Sequence, residues 1–291
     1  MIDFTVALAG LFVGFVVGLT GMGGGALMTP ILVLLFKVQP LAAVSSDILA
    51  SMIMKPVGGG VHWRRGSVNT GLVKWLVLGS VPSAFVGVLI MKASGQGPAL
   101  QEHVKFALGI ALLVVAVGLI IRPLLVRGRK PGESMAPVVV KRLPTVLVGI
   151  AGGLVVGVTS VGSGSLMIIL LLMLYPKLRL SELVGTDLVQ AIPLVASAAL
   201  GHAFFGDLHL ALTASILVGS VPGVFIGAQL SSRAPDSVIR PALIVVLLAS
   251  ALKLLGSTNL VLGAVLVVFL GAYIAVLLSG SRTERAALVK S

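Results

Sequence analysis

Lys55 has the strongest claim to chemistry in this chain, because it interrupts an apolar stretch, residues 41–61. A lysine at the centre of a bilayer costs about 3 kcal/mol unless it is paired or wetted. Two roles are open to it: drawing an anion inward, or pairing with Asp47, two helical turns earlier. Asp47 follows Ser45-Ser46, and Asp187 follows Gly185-Thr186 in a second apolar stretch. As paired acids they suit proton coupling or gating. The preferred reading makes them N-caps, since acids favour helix starts. His62 and His202 stand at the far ends of the same two stretches. Histidine titrates near neutral pH and suits proton shuttling, but the plainer role of interfacial anchor is preferred.

The second group of candidates consists of glycines and hydroxyls. Gly18-Leu19-Thr20-Gly21-Met22-Gly23-Gly24-Gly25 in the first half is matched by Gly157-Val158-Thr159-Ser160-Val161-Gly162-Ser163-Gly164 in the second, with Ser165 following. Helices that resume after such turns aim unsatisfied N–H groups and a positive dipole end at them. With the hydroxyls of Thr20, Thr159, Ser160, Ser163 and Ser165, these donors suit a small oxoanion. The expected binding set is therefore residues 20–25, Lys55, Thr159, Ser160, Gly162, Ser163, Gly164 and Ser165. A packing role for the glycines is the alternative, and it is preferred for Gly14 and Gly18. A phosphate loop is excluded, because no lysine follows at the spacing that motif needs. There is no cysteine, which removes disulfides, thiol catalysis and thiolate metal sites. No metal, cofactor or catalytic residue is expected.

The elements that position these residues must be membrane helices. Charged residues make up 10% of the chain, hydrophobic ones 57%, and mean hydropathy is +1.15. A soluble domain carries about a quarter charged residues. The net charge of +12 is spread over loops without an aromatic-rich basic patch, so no nucleic-acid partner is expected. The partners expected are the lipid bilayer, a small anion and protons; oligomeric state is not legible. Asp3 stands where a signal peptide would be basic, so the first span is expected to be retained.

Apolar blocks fall near 4–20, 25–36, 41–61, 71–91, 104–121, 144–160, 164–175, 182–204, 208–230, 238–255 and 258–278. Phe4 to Phe36 and Pro144 to Tyr175 carry no charge. As straight helices each would be roughly 50 Å long, against a hydrocarbon core of about 30 Å. Each must fold back as a re-entrant hairpin or break into two short spans, and each has its glycine cluster at the middle.

The clusters belong to an internal repeat. Asp47 aligns with Asp187, His62 with His202, and Gly79-Ser80-Val81-Pro82 recurs as Gly219-Ser220-Val221-Pro222. Lys55 has the uncharged mate Val195. Arg122, Arg127, Arg129, Lys130, Lys141 and Arg142 place the central linker in the cytoplasm by the positive-inside rule. Counting spans from there puts the N-terminus outside and the C-terminus inside. It also makes the repeats inverted. The expected organisation is an all-α polytopic membrane protein of two inverted-topology repeats with glycine-broken or re-entrant helices at the centre. Residues 1–122 form the first repeat, 123–143 a basic cytoplasmic linker, 144–255 the second repeat, and 256–291 an added helix and cytoplasmic tail. Inverted repeats commonly bind substrate where broken helices meet.

The first glycine motif, its echo at 157–164, the duplicated Asp and Gly-Ser-Val-Pro positions and the chain length resemble the sulfite exporter TauE/SafE family, over roughly residues 5–278. The resemblance implies a bacterial-type inner-membrane permease for sulfur-containing anions such as sulfite, sulfoacetate or thiosulfate, often working as an exporter. Sulfur comes from the resemblance alone; the residues argue for an anion. In the second cluster Ser160 and Ser163 replace glycines, which makes that turn more polar.

Two rivals remain. An anion channel would use the same donor-lined turns. An intramembrane serine protease would need Ser163 or Ser165 with His202 as base, but Gly162-Ser163-Gly164-Ser165 departs from the protease motif and the first repeat has no serine there.

Overall fold

A computed structural model describes residues 2–20, 23–64, 66–126, 139–176, 178–230, 236–271 and 273. Gly21 and Met22 of the first glycine cluster lie outside the described residues, as do Arg127, Arg129 and Lys130 of the linker. The expected C-terminal span is described as a helix only over Asn259–Gly271, and the tail lies outside.

The described residues are helical, with no strand among them. The helices are α1 (Phe4–Thr20), α2 (Gly25–Leu34), α3 (Pro40–Arg64), α4 (Thr70–Ala93), α5 (Gly97–Val126), α6 (Arg142–Thr159), α7 (Leu166–Leu174), α8 (Leu180–Phe205), α9 (Leu210–Leu230) and α10 (Asp236–Leu254), followed by α11 (Asn259–Gly271). Six of them, α3, α4, α5, α6, α8 and α9, are long and apolar enough to cross a membrane. Asp3 caps α1: its carboxylate accepts from the N–H groups of Val6 and Thr5, which holds it below the usual carboxylate range.

Each long uncharged segment doubles back. The N–H of Lys141, just before α6, donates to the hydroxyl of Tyr175, just after α7, and that hydroxyl also bonds Thr145. Asp3, before α1, lines one hollow with Phe36, Lys37 and Gln39, after α2. Both segments are hairpins whose ends share a face. The choice left open by sequence falls to hairpins because α2, with 10 residues, and α7, with 9, are too short to cross alone.

The hairpins interlock with the opposite half of the chain. Gly10, Gly14 and Gly18 of α1 pack against Ile216, Ser220 and Val224 of α9 in parallel, and Gly219, Gly223 and Gly227 pack back against Ala7, Leu11 and Phe15. The same arrangement joins α6 to α4, with Gly149, Gly153 and Gly157 against Leu76, Ser80 and Ala84. A Cβ at these glycines would overlap the facing backbone, so only small residues permit the approach. The packing role expected of Gly14 and Gly18 is therefore observed.

Equivalent helices of the two halves run antiparallel. Along α3 and α8, Ser45 meets His202 while Gly59 meets Leu188. Along α5 and α10, Gly109 meets Leu255 while Arg122 and Arg240 share one cavity. This is the relation an inverted repeat requires. Two faces result. The N-terminal face gathers Asp3, Lys37, Gln39, Gln101 and Asp207. The linker face gathers Lys141, Tyr175 and the pairs Asn69–Thr186 and Ser67–Gly185.

Candidate functional site: a basic cavity at the first hairpin crest

A cavity of about 310 Å³ opens beside the crest of the first hairpin. Thr20, Gly23 and Gly24 line it from the crest, Ser51, Met54 and Lys55 from α3. His62, Arg122, Ser181 and Arg240 line its end toward the linker face, and aliphatic side chains of α5, α8, α9 and α10 complete the wall. Gly23, Gly24, Ser51, Met54 and Lys55 are buried, whereas Ser181 is exposed and His62 half-buried, so the opening is at the linker face. Among the described residues its charged lining groups are Lys55, Arg122 and Arg240, with no carboxylate. No side chain caps α2, whose start carries Gly23 and Gly24 into this space. Cations and an uncapped helix start together favour an anion there.

Lys55 is 6% exposed and has neither a hydrogen bond nor an ion pair within 4 Å among the described residues. It feels the fields of Asp187 and Asp47. It therefore lines the cavity while lying within reach of both carboxylate charges.

The aspartates are not the N-caps expected. Each lies two turns inside its own helix, Asp47 in α3 and Asp187 in α8, with 1% and 0% exposure. They serve other helices instead. Asp47 Oδ2 accepts from Ser160 Oγ at 2.6 Å and from Thr29 Oγ1 at 3.1 Å, and its other oxygen lies beside Gly24 at the start of α2. Asp187 faces the backbone N–H of Gly164, just before α7. Its Oδ1 accepts from Gln190 Nε2 at 2.9 Å, and its Oδ2 is buried with no hydrogen-bond partner. The asymmetry follows from sequence: the repeat mates of Ser160 and Thr29 are Gly21 and Ile168, which offer no hydroxyl.

The two crests touch. A Cβ on Gly23 would overlap the carbonyl of Ser163, and one on Gly25 the carbonyl of Ser160. Glycine answers different needs in the two turns. In the second, Gly162, Gly164 and the non-glycine Ser160 have positive φ; in the first, Gly23 and Gly25 allow close approach. Thr159, Ser160, Gly162, Ser163, Gly164 and Ser165 are packed behind the first crest and do not line the cavity.

The histidines also part. His62 lines the cavity and bonds Ser67 Oγ at 3.0 Å. His202 is fully buried, so it is not an interfacial anchor. Its Nε2 donates to the Gly157 carbonyl at 2.9 Å, which leaves Nδ1 to accept from Ser45 Oγ at 2.8 Å. Ser45 Oγ in turn accepts from the N–H of Asp207. This chain ties α3, α6 and α8 together near the N-terminal face. His202 bonds neither Ser163 nor Ser165, so no hydrolytic pair is assembled. Arg122, read from sequence only as part of the cytoplasmic linker, shares this cavity with Arg240 of α10. Gln190 and Ser197 of α8 do not line it; Gln190 holds Asp187 and Ser80, and Ser197 braces the Val81 carbonyl.

Residues 6–254 match the family described as Sulfite exporter TauE/SafE. The chain is 40% identical over 256 residues to a "Probable membrane transporter protein YjnA" of Bacillus subtilis, covering 86% of this chain and 99% of that protein. A second B. subtilis protein, "Probable membrane transporter protein YdhB", is 26% identical over 240 residues, with 82% and 94% covered. A "Probable membrane transporter protein" of Xylella fastidiosa is 28% identical over 240 residues, 79% of this chain and 84% of that one. No solved structure matches.

Proposed function

The chain belongs to the sulfite exporter TauE/SafE family of membrane transporters, and from that premise we propose that it moves a small sulfur-containing oxoanion, such as sulfite or an organosulfonate, through the cavity beside Lys55. It is a multi-pass membrane protein and not an enzyme. The observation that carries the anion reading is the lining: among the described residues its charged groups are three cations and no carboxylate, with the uncapped start of α2 at one end. Sulfur is supported by the family's description alone.

The cavity is open to the linker face, and we read the buried His202 chain as the seal that closes it toward the N-terminal face. Arg64, Arg122, Lys141, Arg142 and Arg179 cluster at the linker face, which supports its being cytoplasmic in an inner membrane. An inward-open resting state suits export, because the substrate would enter from the cytoplasm. Antiparallel equivalent helices and touching crests support two inverted repeats exchanging access around one site. A sealed N-terminal face argues for such a carrier over a continuous anion channel.

The test is a binding panel of sulfite, sulfate, thiosulfate, sulfoacetate and taurine on purified protein, with Lys55→Met beside the wild type. At least one anion should bind saturably to the wild type, and the variant should lose tenfold or more in affinity. Equal affinity in the variant would remove Lys55 from the site. In proteoliposomes, flux should saturate with substrate; large unitary currents would establish a channel instead.

A further inference from the structure

The unpartnered oxygen of Asp187 is a buried polar atom that the anion reading of the cavity leaves without a task. Asp187 lies on α8, against α3, α4, α6 and α7. From α3 it faces Lys55, which feels Asp187 more strongly than it feels Asp47. From α4 the nearest polar group is Ser80, reached through Gln190; Lys74 and Lys92 stand toward the two ends of that helix. From the second crest it meets only the N–H of Gly164. His202, on its own helix, is turned to Ser45 and Gly157.

Lys55 is therefore the cation on which the charge of Asp187 depends. Asp47 is differently placed, because two hydroxyls already donate to one of its oxygens. An anion in the cavity approaches the same ammonium from the open side. Two negative groups would then share one positive group in a region poor in water, which low-dielectric surroundings make costly. A proton relieves this most cheaply at the least satisfied acceptor, Asp187 Oδ2.

We propose that Lys55 exchanges counter-ions during transport: in the empty cavity its charge is balanced by Asp187, and an entering anion takes that place while Asp187 is protonated. The new O–H bond is made with a proton from water, and the lysine stays charged throughout. A monoanion thus enters with one proton, and the site gains no net charge. The proposal rests on the anion reading of the cavity and adds to it a residue and a stoichiometry.

The experiment titrates sulfate, thiosulfate and methanesulfonate, none of which takes up a proton between about pH 5 and 9, into the purified protein by calorimetry. Buffers of different ionisation heat count the protons. Parallel titrations in a His62→Gln background remove the histidine that lines the cavity. Wild type should take up close to one proton per anion at the alkaline end, with Kd rising about tenfold per pH unit there. Asp187→Asn should show no uptake and a flat profile. Asp187→Glu should keep the uptake with a displaced midpoint, and it decides the matter if the asparagine variant does not fold. Uptake retained in Asp187→Asn, an unmoved midpoint in Asp187→Glu, or a wild-type Kd independent of pH overturns the exchange while leaving the anion site standing. Failure of all three anions to bind wild type removes the anion site and the exchange together.

Discussion

Ser160 joins the two halves through one hydroxyl. It holds a left-handed backbone conformation, φ 60°, while donating to the buried Asp47 on a helix 113 residues away in sequence. Ser160→Ala keeps the Cβ and deletes the donor, so it isolates the bond. A hydrogen bond to a charged group contributes about 1.5–3 kcal/mol, and unfolding in detergent should show a loss of that order. Ser160→Gly should cost less, since glycine also relieves the strain that a Cβ carries at positive φ. Sequence made the intramembrane charges Lys55, Asp47 and Asp187 easy to find, because charge in an apolar span stands out. It could not say what holds them. A cap is read from neighbours along the chain, whereas the partners of Asp47 are on α2 and on the opposite hairpin.

Glycine spacing governs the helices. Four-residue steps at Gly10, Gly14 and Gly18, and at Gly149, Gly153 and Gly157, give each hairpin's first helix a flat stripe. The facing stripes on α9 and α4 include the duplicated Gly-Ser-Val-Pro motifs, read from sequence only as a mark of the repeat. Gly153→Val would press a side chain into the Ser80 backbone and the Ser83 hydroxyl. It should lower the melting temperature and the yield of folded protein. Gly60→Ala meets nothing within 4 Å, and helix propensity predicts stability unchanged or up by about 1 kcal/mol. Equal losses at both positions would refute stripe packing as the source of stability. That each uncharged segment had to turn was legible from its length. Where it returned was not, because the bond of Lys141 to Tyr175 and the hollow shared by Asp3 and Lys37 bring together residues far apart in sequence.

Across the whole molecule the notable property is one-sidedness within a duplicated chain. The two halves are alike in helix order, yet the basic cavity lies beside the first crest, and Lys55 is matched by the uncharged Val195 in the second half. Arg122 and Arg240 escaped sequence reading because basic residues at span ends serve so often as anchors. Antiparallel packing of α5 and α10 is what brings them to one place. The cysteine-free chain permits a direct check. Val61→Cys and Ser181→Cys, at the open end, should react with a membrane-impermeant thiol reagent in inside-out vesicles and be protected by bound anion. Ser45→Cys, under the His202 seal, should stay unreactive from either side until transport turns over. Labelling of Ser181→Cys in intact cells would reverse the orientation. The exchange of partners, α1 onto α9 and α6 onto α4, also bears on the order of assembly. The first half alone would leave the glycine stripes of α1 and α4 bare, so neither stripe is covered until the second half has entered the bilayer.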